Sequence, residues 1–185
     1  MVAMASLRAF FTELGFADVR TLLQSGNVVF RARAQSTAKL EAKLEKAAAE
    51  TLDLDTRFFV RTHDELAAIV QANPFPEWAK RDPAHLHVAF LPSAVAADAV
   101  TRLQKAIAGP ELVAGGGREV YLVYPEGAGR SRLTVALIEK HLGVPFTARN
   151  WNQPVSRIAR HATPAITPTV TSVIWLELCI ASKSR

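Results

Sequence analysis

The sequence predicts an α+β protein made of two halves that repeat one order of helices and strands. The chain has 185 residues, 49% of them hydrophobic, which suffices for one globular domain or two small ones. Helical segments with one apolar face alternate with short strand-like runs, and turn residues separate some of these runs in pairs. Strands joined by short turns pair antiparallel, so antiparallel sheets carrying helices are expected.

The first half is predicted to hold a helix, a hairpin, a second helix, a strand and a third helix. Apolar residues at helical spacing between Ala5 and Leu14 predict the first helix, which Gly15 ends. A polar turn at 24–27 separates the two strands of the hairpin. The other elements are a helix from Ser36 or Thr37 to about Leu52, a strand over 57–61, and a helix from the capping box Thr62-His63-Asp64-Glu65 to Ala72.

The second half follows a polar connection at residues 77–84. Its predicted elements are a strand over 85–91, a helix over about 95–108, a hairpin whose strands flank Gly115-Gly116-Gly117, a helix that Ser131 caps and Gly143 ends, and a last strand over 146–151.

This second half is β-α-β followed by β-α-β, the order of a ferredoxin-like unit. The first half repeats the order without its opening strand. That strand is central in this topology, so the first sheet is expected to have a gap. The β-like segment 170–180 either fills this gap or lies elsewhere. The predicted divisions are a first, incomplete ferredoxin-like half over 1–76, the connection 77–84, a second half over 85–161, and an atypical tail over 162–185.

Composition excludes several classes of protein. No apolar run reaches the roughly 18 residues of a membrane span, and residues 1–6 lack the features of a signal peptide. The single cysteine, Cys179, cannot form an internal disulfide, and its apolar surroundings favour an inert thiol. A soluble cytoplasmic protein of bacterial type, without membrane contact, is expected.

The net charge of +5 is concentrated near the end of the chain. Residues 111–185 hold 9 basic and 5 acidic residues, most of the basic ones arginine. Arginine favours forked contacts to phosphate or carboxylate. This block is either an anion-binding surface or a solvated basic face.

The most informative stretch is Gly127-Ala128-Gly129-Arg130-Ser131-Arg132-Leu133-Thr134, a glycine loop that enters a predicted helix. Free backbone N–H groups at a helix start, with Arg130 and Arg132 beside them, favour an anion. A plain turn with Ser131 as helix cap explains the same residues. Neither a Walker motif nor a dinucleotide fingerprint is present, and no cofactor is predicted.

A second group of residues has the chemistry that binds single-stranded nucleic acid. Arg149, Asn150 and Trp151 would supply a forked donor, an amide and a stacking face. Tyr121 and Tyr124, expected on one face of a strand, would extend this to an aromatic platform on a sheet. Half-buried tyrosines at a sheet edge are the alternative.

Other polar residues give weaker indications. Gln24, Ser25 and Asn27 are either ligand contacts or ordinary turn residues. His85 and His87 have no third ligand at suitable spacing, so no metal site is predicted, and a solvent-facing pair is expected. No serine lies in a nucleophile elbow, and no catalytic residue can be assigned.

Several phrases occur together in one order and are specific as a set: 23–30 (LQSGNVVF), 73–75 (NPF), 117–122 (GREVYL), 129–134 (GRSRLT) and 147–152 (TARNWN). Over roughly residues 4–155 the chain resembles the bacterial family named domain of unknown function 1697. The resemblance implies an α+β fold of two ferredoxin-like halves and implies no activity. Members of that family usually begin with a strand and a glycine-bearing loop, which this sequence lacks, and usually end soon after the last phrase, so 162–185 looks appended.

Three functional hypotheses follow. The leading one is a binding module whose basic second half contacts a small anionic ligand or nucleic acid. The alternative is an enzyme of unknown reaction with a site between the halves, a place where pockets often form. Its site residues would be Gln24, Ser25, Asn27, Arg118, Arg130, Ser131 and Arg149. The third is self-association through an exposed edge of the incomplete sheet. The sequence leaves the oligomeric state open.

Overall fold

The structure, a computed structural model, describes residues 4–22, 27–152 and 169–177. The chain divides into two compact units, which we call unit 1 (residues 1–65 and 162–185) and unit 2 (residues 66–161). The described helices are α1 (Met4–Glu13), α2 (Thr37–Leu52), α3 (His63–Gln71), α4 (Pro76–Arg81), α5 (Ala97–Ala106) and α6 (Val135–Leu142). The described strands are β1 (Ala17–Leu22), β2 (Asn27–Arg33), β3 (Arg57–Thr62), β4 (Leu86–Val95), β5 (Leu112–Val123), β6 (Thr147–Asn150) and β7 (Thr169–Glu177).

Unit 1 contains a four-stranded sheet in the order β1-β2-β7-β3, with every neighbouring pair antiparallel. The late strand β7 lies between β2 and β3, so Val173 is in register with Val29 on one side and Arg61 on the other. The β-like tail segment therefore occupies the centre of the first sheet. Its N–H and C=O groups are distributed between two neighbours, which is the environment of an interior strand.

The core of unit 1 lies between this sheet and helices α1 and α2. Phenylalanines form its centre, and the rings of Phe11 and Phe30 lie 5.3 Å apart. Burial of each large apolar side chain contributes about 1.5–3 kcal/mol. The larger buried members are Leu7, Phe10, Phe11, Val28, Phe30, Leu40, Leu44, Phe58 and Val60.

The edge strand β3 is protected by two glutamates of α2. The backbone N–H of Phe58 donates to Glu45 Oε1 at 3.2 Å, and that of Val60 donates to Glu41 Oε1 at 2.8 Å. Unpaired N–H groups on an edge strand would otherwise attract another chain. Glu41 also accepts a contact from Nη1 of the fully buried Arg61 at 3.5 Å. A buried ion pair thus ties α2 to the edge strand.

Unit 2 contains a three-stranded antiparallel sheet in the order β5-β4-β6. Helices α5 and α6 share a core with one face of this sheet, through residues such as Leu91, Leu103, Leu122 and Ile138. The other face is buried as well. Its members are Leu86, Val88, Phe90, Tyr121 and Val123. Both faces of this sheet are therefore withdrawn from solvent.

Most local predictions are confirmed. The capping box at the start of α3 is formed, because the N–H of Thr62 donates to Glu65 Oε2 at 2.7 Å and the N–H of Glu65 donates to Thr62 Oγ1 at 3.1 Å. The connection predicted at residues 77–84 is helical over its first part, because α4 extends from Pro76 to Arg81. Pro76 occupies the first helical turn, where its missing N–H costs nothing.

The strand β4 runs through Pro92 to Val95 and so passes the end expected at Leu91. Its register to β5 shifts between Phe90 and Val95, and an irregular stretch of this kind tolerates a proline. In β5, a Cβ on Gly115 would lie only 2.9 Å from the carbonyl oxygen of Glu119. In a fully extended chain, residues 115 and 119 would lie roughly 13 Å apart. The chain therefore turns back within this stretch, as its three glycines predict.

In the described part of the chain, no helix has both the length and the apolar character required to cross a membrane.

Replacement of Val173 by proline should destabilise unit 1, because proline removes a backbone donor from a strand that pairs on both sides. The expected cost is about 3 kcal/mol or more. Urea unfolding followed by circular dichroism measures it. Val173→Ala is the matched control, since alanine keeps the N–H. Equal stability of the proline and alanine variants would contradict the central position of β7.

Replacement of Glu41 by glutamine keeps an oxygen that can accept from Val60 but removes the charge that pairs with Arg61. Because Arg61 stays buried, we expect a loss of about 3 kcal/mol in the free energy of unfolding. Glu45→Gln is the control, since Glu45 also accepts a hydrogen bond from a backbone N–H of β3 but is only partly buried. Indistinguishable urea midpoints for the two variants would refute a role for the ion pair.

Candidate functional site

The loop of residues 124–134 in unit 2 is the candidate site, and we call it the arginine loop. It begins where the N–H of Tyr124 donates to the carbonyl of His85 at 2.9 Å. The N–H of Gly127 then donates to the carbonyl of Tyr124 at 2.9 Å, and a short 3₁₀ turn, Ala128–Arg130, follows. Gly127 has φ +84°, a conformation that favours glycine. The loop is thus held at its start by the sheet.

The inner side of the arginine loop is occupied by a carboxylate of the same unit. Glu111 is 4% exposed, and its Oε1 accepts a short hydrogen bond from the hydroxyl of Ser131. The same oxygen accepts from the backbone N–H of Arg132 at 3.1 Å. Ser131 Oγ in turn accepts from the N–H of Leu133 at 2.9 Å. The bond from Ser131, with those from the backbone, lowers the pKa of Glu111. An internal anion therefore uses the donors that the sequence suggested for a ligand.

This carboxylate also explains where the next helix begins. The helix expected to start at Ser131 starts at Val135, with Thr134 as its cap. Thr134 Oγ1 accepts from the N–H of Leu137 at 3.3 Å. Ser131 donates its hydroxyl hydrogen to Glu111 instead and lies at the end of the 3₁₀ turn. The capping interpretation was thus correct in kind and wrong by three residues.

Arg130 and Arg132 lie on the outer side of the arginine loop. Both are exposed. Among the residues that the structure describes, neither guanidinium has a hydrogen-bond or ion-pair partner. Two cations of this kind on a fixed loop can contact a phosphate or carboxylate without first giving up an internal bond.

A carboxylate–imidazole pair adjoins the start of the arginine loop. Asp82 Oδ2 lies 2.5 Å from His85 Nδ1, and both side chains are partly exposed. The other ring nitrogen, Nε2, lies 3.8 Å from where a Cβ on Gly127 would stand. Sequence reasoning passed over Asp82. The signal that could have found it is the spacing Asp-x-x-His directly before a strand.

His87 lies farther inside the unit than the solvent-facing position expected for it. Its ring packs edge-on against Tyr124 with centroids 5.2 Å apart, and burial lowers the pKa of His87. Burial and the charge of Glu111 together raise the pKa of Tyr124 to about 12. Both groups are therefore neutral at pH 7. In the described part of the chain, no cluster of three or more His, Cys, Asp or Glu residues could hold a metal ion.

The predicted aromatic platform is not formed by these residues. Tyr121 is buried, and its hydroxyl donates to the carbonyl of Ile69 at 2.6 Å. Tyr124 instead belongs to the core shared with α5 and α6, together with Leu122. Tyr121 lies on β5 and Tyr124 follows directly after its end, at an odd spacing. The two side chains therefore lie on opposite sides of the sheet, and the expectation of a shared face was wrong.

The remaining predicted site residues have structural partners or lie elsewhere. Arg149 Nη1 donates to Thr147 Oγ1 at 2.6 Å and to the carbonyl of Ala148 at 2.9 Å. The amide of Asn150 donates to the carbonyl of Ala84, and Trp151 is buried. Arg118 Nε donates to the carbonyl of Leu91 at 3.4 Å.

The remaining predicted contacts belong to the first half of the chain. Asn27 is fully buried in unit 1 at the start of β2. Gln24 and Ser25 lie outside the described residues. Of the predicted site residues, Arg130, Ser131 and Arg132 lie in the arginine loop. Glu111 bonds to this loop, and the Asp82–His85 pair adjoins its start.

Comparison with known proteins found one family model and one solved structure that match this chain. The model of a protein family described as "Protein of unknown function (DUF1697)" matches residues 1–121. The chain belongs to the DUF1697 family. Among solved structures, this DUF1697 protein is similar to conserved bacterial protein SP0830 from Streptococcus pneumoniae, with 22% sequence identity and a TM-score of 0.62. The match covers 86% of this chain and 90% of that one, and it concerns the fold alone. No curated protein matches.

Replacement of Ser131 by alanine should loosen the arginine loop. The lost charge-assisted hydrogen bond is worth about 2 kcal/mol at neutral pH. Because the bond lowers the pKa of Glu111, its contribution is present above the ordinary glutamate pKa of about 4.3 and is lost as pH falls through the lower folded value. Urea unfolding at pH 7 and at pH 3 should therefore show a difference between wild type and Ser131→Ala that shrinks in acid.

Ser36→Ala is the matched control, because Ser36 precedes α2 without a capping hydrogen bond from its side chain. It should change the stability by only a few tenths of a kcal/mol, as expected for a surface substitution. A loss in Ser131→Ala that stays constant from pH 7 to pH 3 would show that Glu111 is not the group involved.

Proposed function

We propose that unit 2 is a binding module for a small anionic ligand, with the arginine loop as its binding surface. The observation that carries the proposal is the pair of exposed guanidinium groups of Arg130 and Arg132, which have no partner among the described residues. Arginine is the side chain that proteins favour for forked contacts to phosphate and carboxylate groups.

The buried carboxylate supports this proposal by fixing the loop. Glu111 holds Ser131 and the N–H of Arg132 from inside, so the backbone that carries both arginines is ordered before a ligand arrives. Ordering a loop in advance lowers the entropy that binding must overcome. Glu111 is buried, and the donors from Ser131 and Arg132 both reach its Oε1. These two bonds partly offset its repulsion of an approaching anion.

Nucleic acid is the less favoured ligand. The residues proposed for stacking and base contacts, Tyr121, Arg149 and Trp151, are buried or engaged by neighbouring groups. The exposed arginines offer contacts to phosphate but none to bases, and base contacts are what specify a sequence. Any binding to a nucleic acid would therefore be electrostatic and independent of sequence.

The alternative, an enzyme, has one observation in its favour. The Asp82–His85 pair has the geometry in which a carboxylate orients an imidazole for proton transfer. In the described residues, no hydrogen bond joins this pair to a serine, cysteine or threonine that could serve as a nucleophile. The binding module is therefore the function the site supports better.

Titration of the purified chain with inorganic phosphate, by isothermal calorimetry at low salt, tests the proposal. Replacement of Arg130 and Arg132 by alanine should weaken binding at least tenfold, since each charge-assisted contact is worth about 1.5–3 kcal/mol. The matched control replaces exposed Arg8 and Lys39 of unit 1, which removes the same charge elsewhere on the chain. Equal losses in both double variants would mean that only net charge matters.

Labelled single-stranded RNA and duplex DNA should be titrated in parallel by fluorescence anisotropy at several salt concentrations. A phosphate-only interaction weakens log-linearly with salt and does not depend on sequence. If RNA affinity stays high at high salt and is unchanged by the substitutions at Arg130 and Arg132, the RNA binds at another surface.

A further inference from the structure

We infer that unit 1 contains a second ligand site, a cavity that binds a small organic phosphate through an aromatic wall and two cationic side chains. Its residues belong to unit 1, whereas the arginine loop belongs to unit 2. The inference therefore goes beyond the proposed function and does not depend on it. We call this site the unit 1 cavity.

The unit 1 cavity has a volume of about 370 Å³ and lies where three parts of the unit meet. Residues 14–17, which connect α1 to β1, form one side, and residues 31–33 of β2 form another. Gln35 and Lys43 of the following segment and helix also border it. Small-molecule pockets have volumes of roughly 300–1,000 Å³. A cavity of this size accepts a molecule larger than a single phosphate ion.

Phe16 supplies the aromatic wall. Its ring packs against Phe30 with centroids 4.7 Å apart and against Phe11 at 5.8 Å, but the residue is only partly buried. Its backbone is held too, because the N–H of Phe16 donates to the carbonyl of Phe11 at 3.2 Å and that of Gly15 donates to the carbonyl of Thr12 at 3.0 Å. The wall is therefore ordered before a ligand arrives, which lowers the entropy that binding must overcome.

Three cationic residues border the cavity, and one of them has an internal counter-ion. Arg31 Nε lies 3.2 Å from Asp18 Oδ2. Arg33 and Lys43 are exposed, and in the described part of the chain neither side chain forms an ion pair or a hydrogen bond. Lys43 Nζ lies 5.5 Å from the centroid of the Phe16 ring, so one of these charges stands beside the aromatic wall. The cavity therefore has two positive charges that no described carboxylate balances.

This combination favours an organic phosphate over other ligands. A phosphate monoester carries a charge of about −1.5 to −2 at neutral pH, which two cations balance, whereas a carboxylate carries only one negative charge. Arg33 can make a forked contact to phosphate oxygens, and Lys43 can contact them as a point charge. An aromatic group on the same molecule can pack against Phe16.

A larger cavity in the described part of unit 1 lacks this combination. It has a volume of about 510 Å³ and lies beside α1, where Arg8, Glu13 and Thr21 border it. Its cation and its carboxylate balance each other, and no aromatic residue is among those that border it. Size would favour the larger cavity, but the chemistry of an anion site belongs to the smaller one.

Titration of the ¹⁵N-labelled chain, followed by ¹H–¹⁵N correlation spectra, tests the inference. The chain carries Arg130→Ala and Arg132→Ala, so the arginine loop does not contribute to binding. The probes are phenyl phosphate, inorganic phosphate, benzoate and benzamide. We expect phenyl phosphate to shift the amide signals of residues 14–17. It should bind at least about tenfold more tightly than inorganic phosphate, which has no apolar body, and than benzamide, which has no charge. Benzoate should bind more weakly than phenyl phosphate.

Replacement of both Arg33 and Lys43 by glutamine should weaken phenyl phosphate binding at least about tenfold, because two charge-assisted contacts are lost. The matched control replaces Arg20 and Arg57 by glutamine. These are two exposed cations of unit 1 that do not border the cavity. Circular dichroism confirms that each variant is folded.

Each contrary result overturns a defined part of the inference. Absence of phenyl phosphate binding, amide shifts confined to other parts of the chain, or equal losses in the two double variants overturns the site itself. Inorganic phosphate that binds as tightly as phenyl phosphate overturns the role of the aromatic wall. Benzamide or benzoate that binds as tightly overturns the assignment to a phosphate.

The same experiment keeps the two proposals distinguishable. Because the arginine loop is removed from these titrations, their failure leaves the proposed function in place. Absence of phosphate binding at the arginine loop, in turn, leaves the unit 1 cavity in place.

Discussion

The sheet of unit 1 depends on a strand that the chain supplies more than one hundred residues after β3. β7 pairs with β2 on one side and β3 on the other, so it joins two strands that would otherwise have no common neighbour. Backbone N–H and C=O groups in a core must be paired, and the gap between β2 and β3 can be filled only by an extended segment. Closing a long loop costs entropy that grows slowly with length, so a distant strand can serve almost as well as a near one.

In both units, glutamate carboxylates accept hydrogen bonds from backbone N–H groups that are not paired within a sheet or a helix. In unit 1, Glu41 and Glu45 accept from the free edge of β3. In unit 2, Glu111 accepts from the loop that precedes α6. A charged acceptor makes a stronger bond than a neutral one, which offsets the cost of burying the charge. The position of the arginine loop, and hence of Arg130 and Arg132, follows from this use of Glu111.

The arginines of the basic C-terminal block have different environments in the structure. Of the arginines in the basic C-terminal block, Arg118 and Arg149 donate to neighbouring protein oxygens, whereas Arg130 and Arg132 stay exposed on the outside of a fixed loop. The charge count could not separate these groups, because it contains no information about which oxygens lie within reach. The same holds for Asp82 and His85, whose pairing depends on the bend that leads into β4.

The sequence by itself determined the local elements and the family. Helical periodicity, the capping box at Thr62–Glu65 and the glycines at 115–117 each specify structure through neighbours a few residues away, and these predictions hold in the described residues. Only the tertiary structure decided that β7 is central in its sheet, that Ser131 serves Glu111 rather than a helix, and that Tyr121 is buried. Each of these depends on a partner 20 or more residues away, and the energy of such a contact depends on which distant groups the fold brings together.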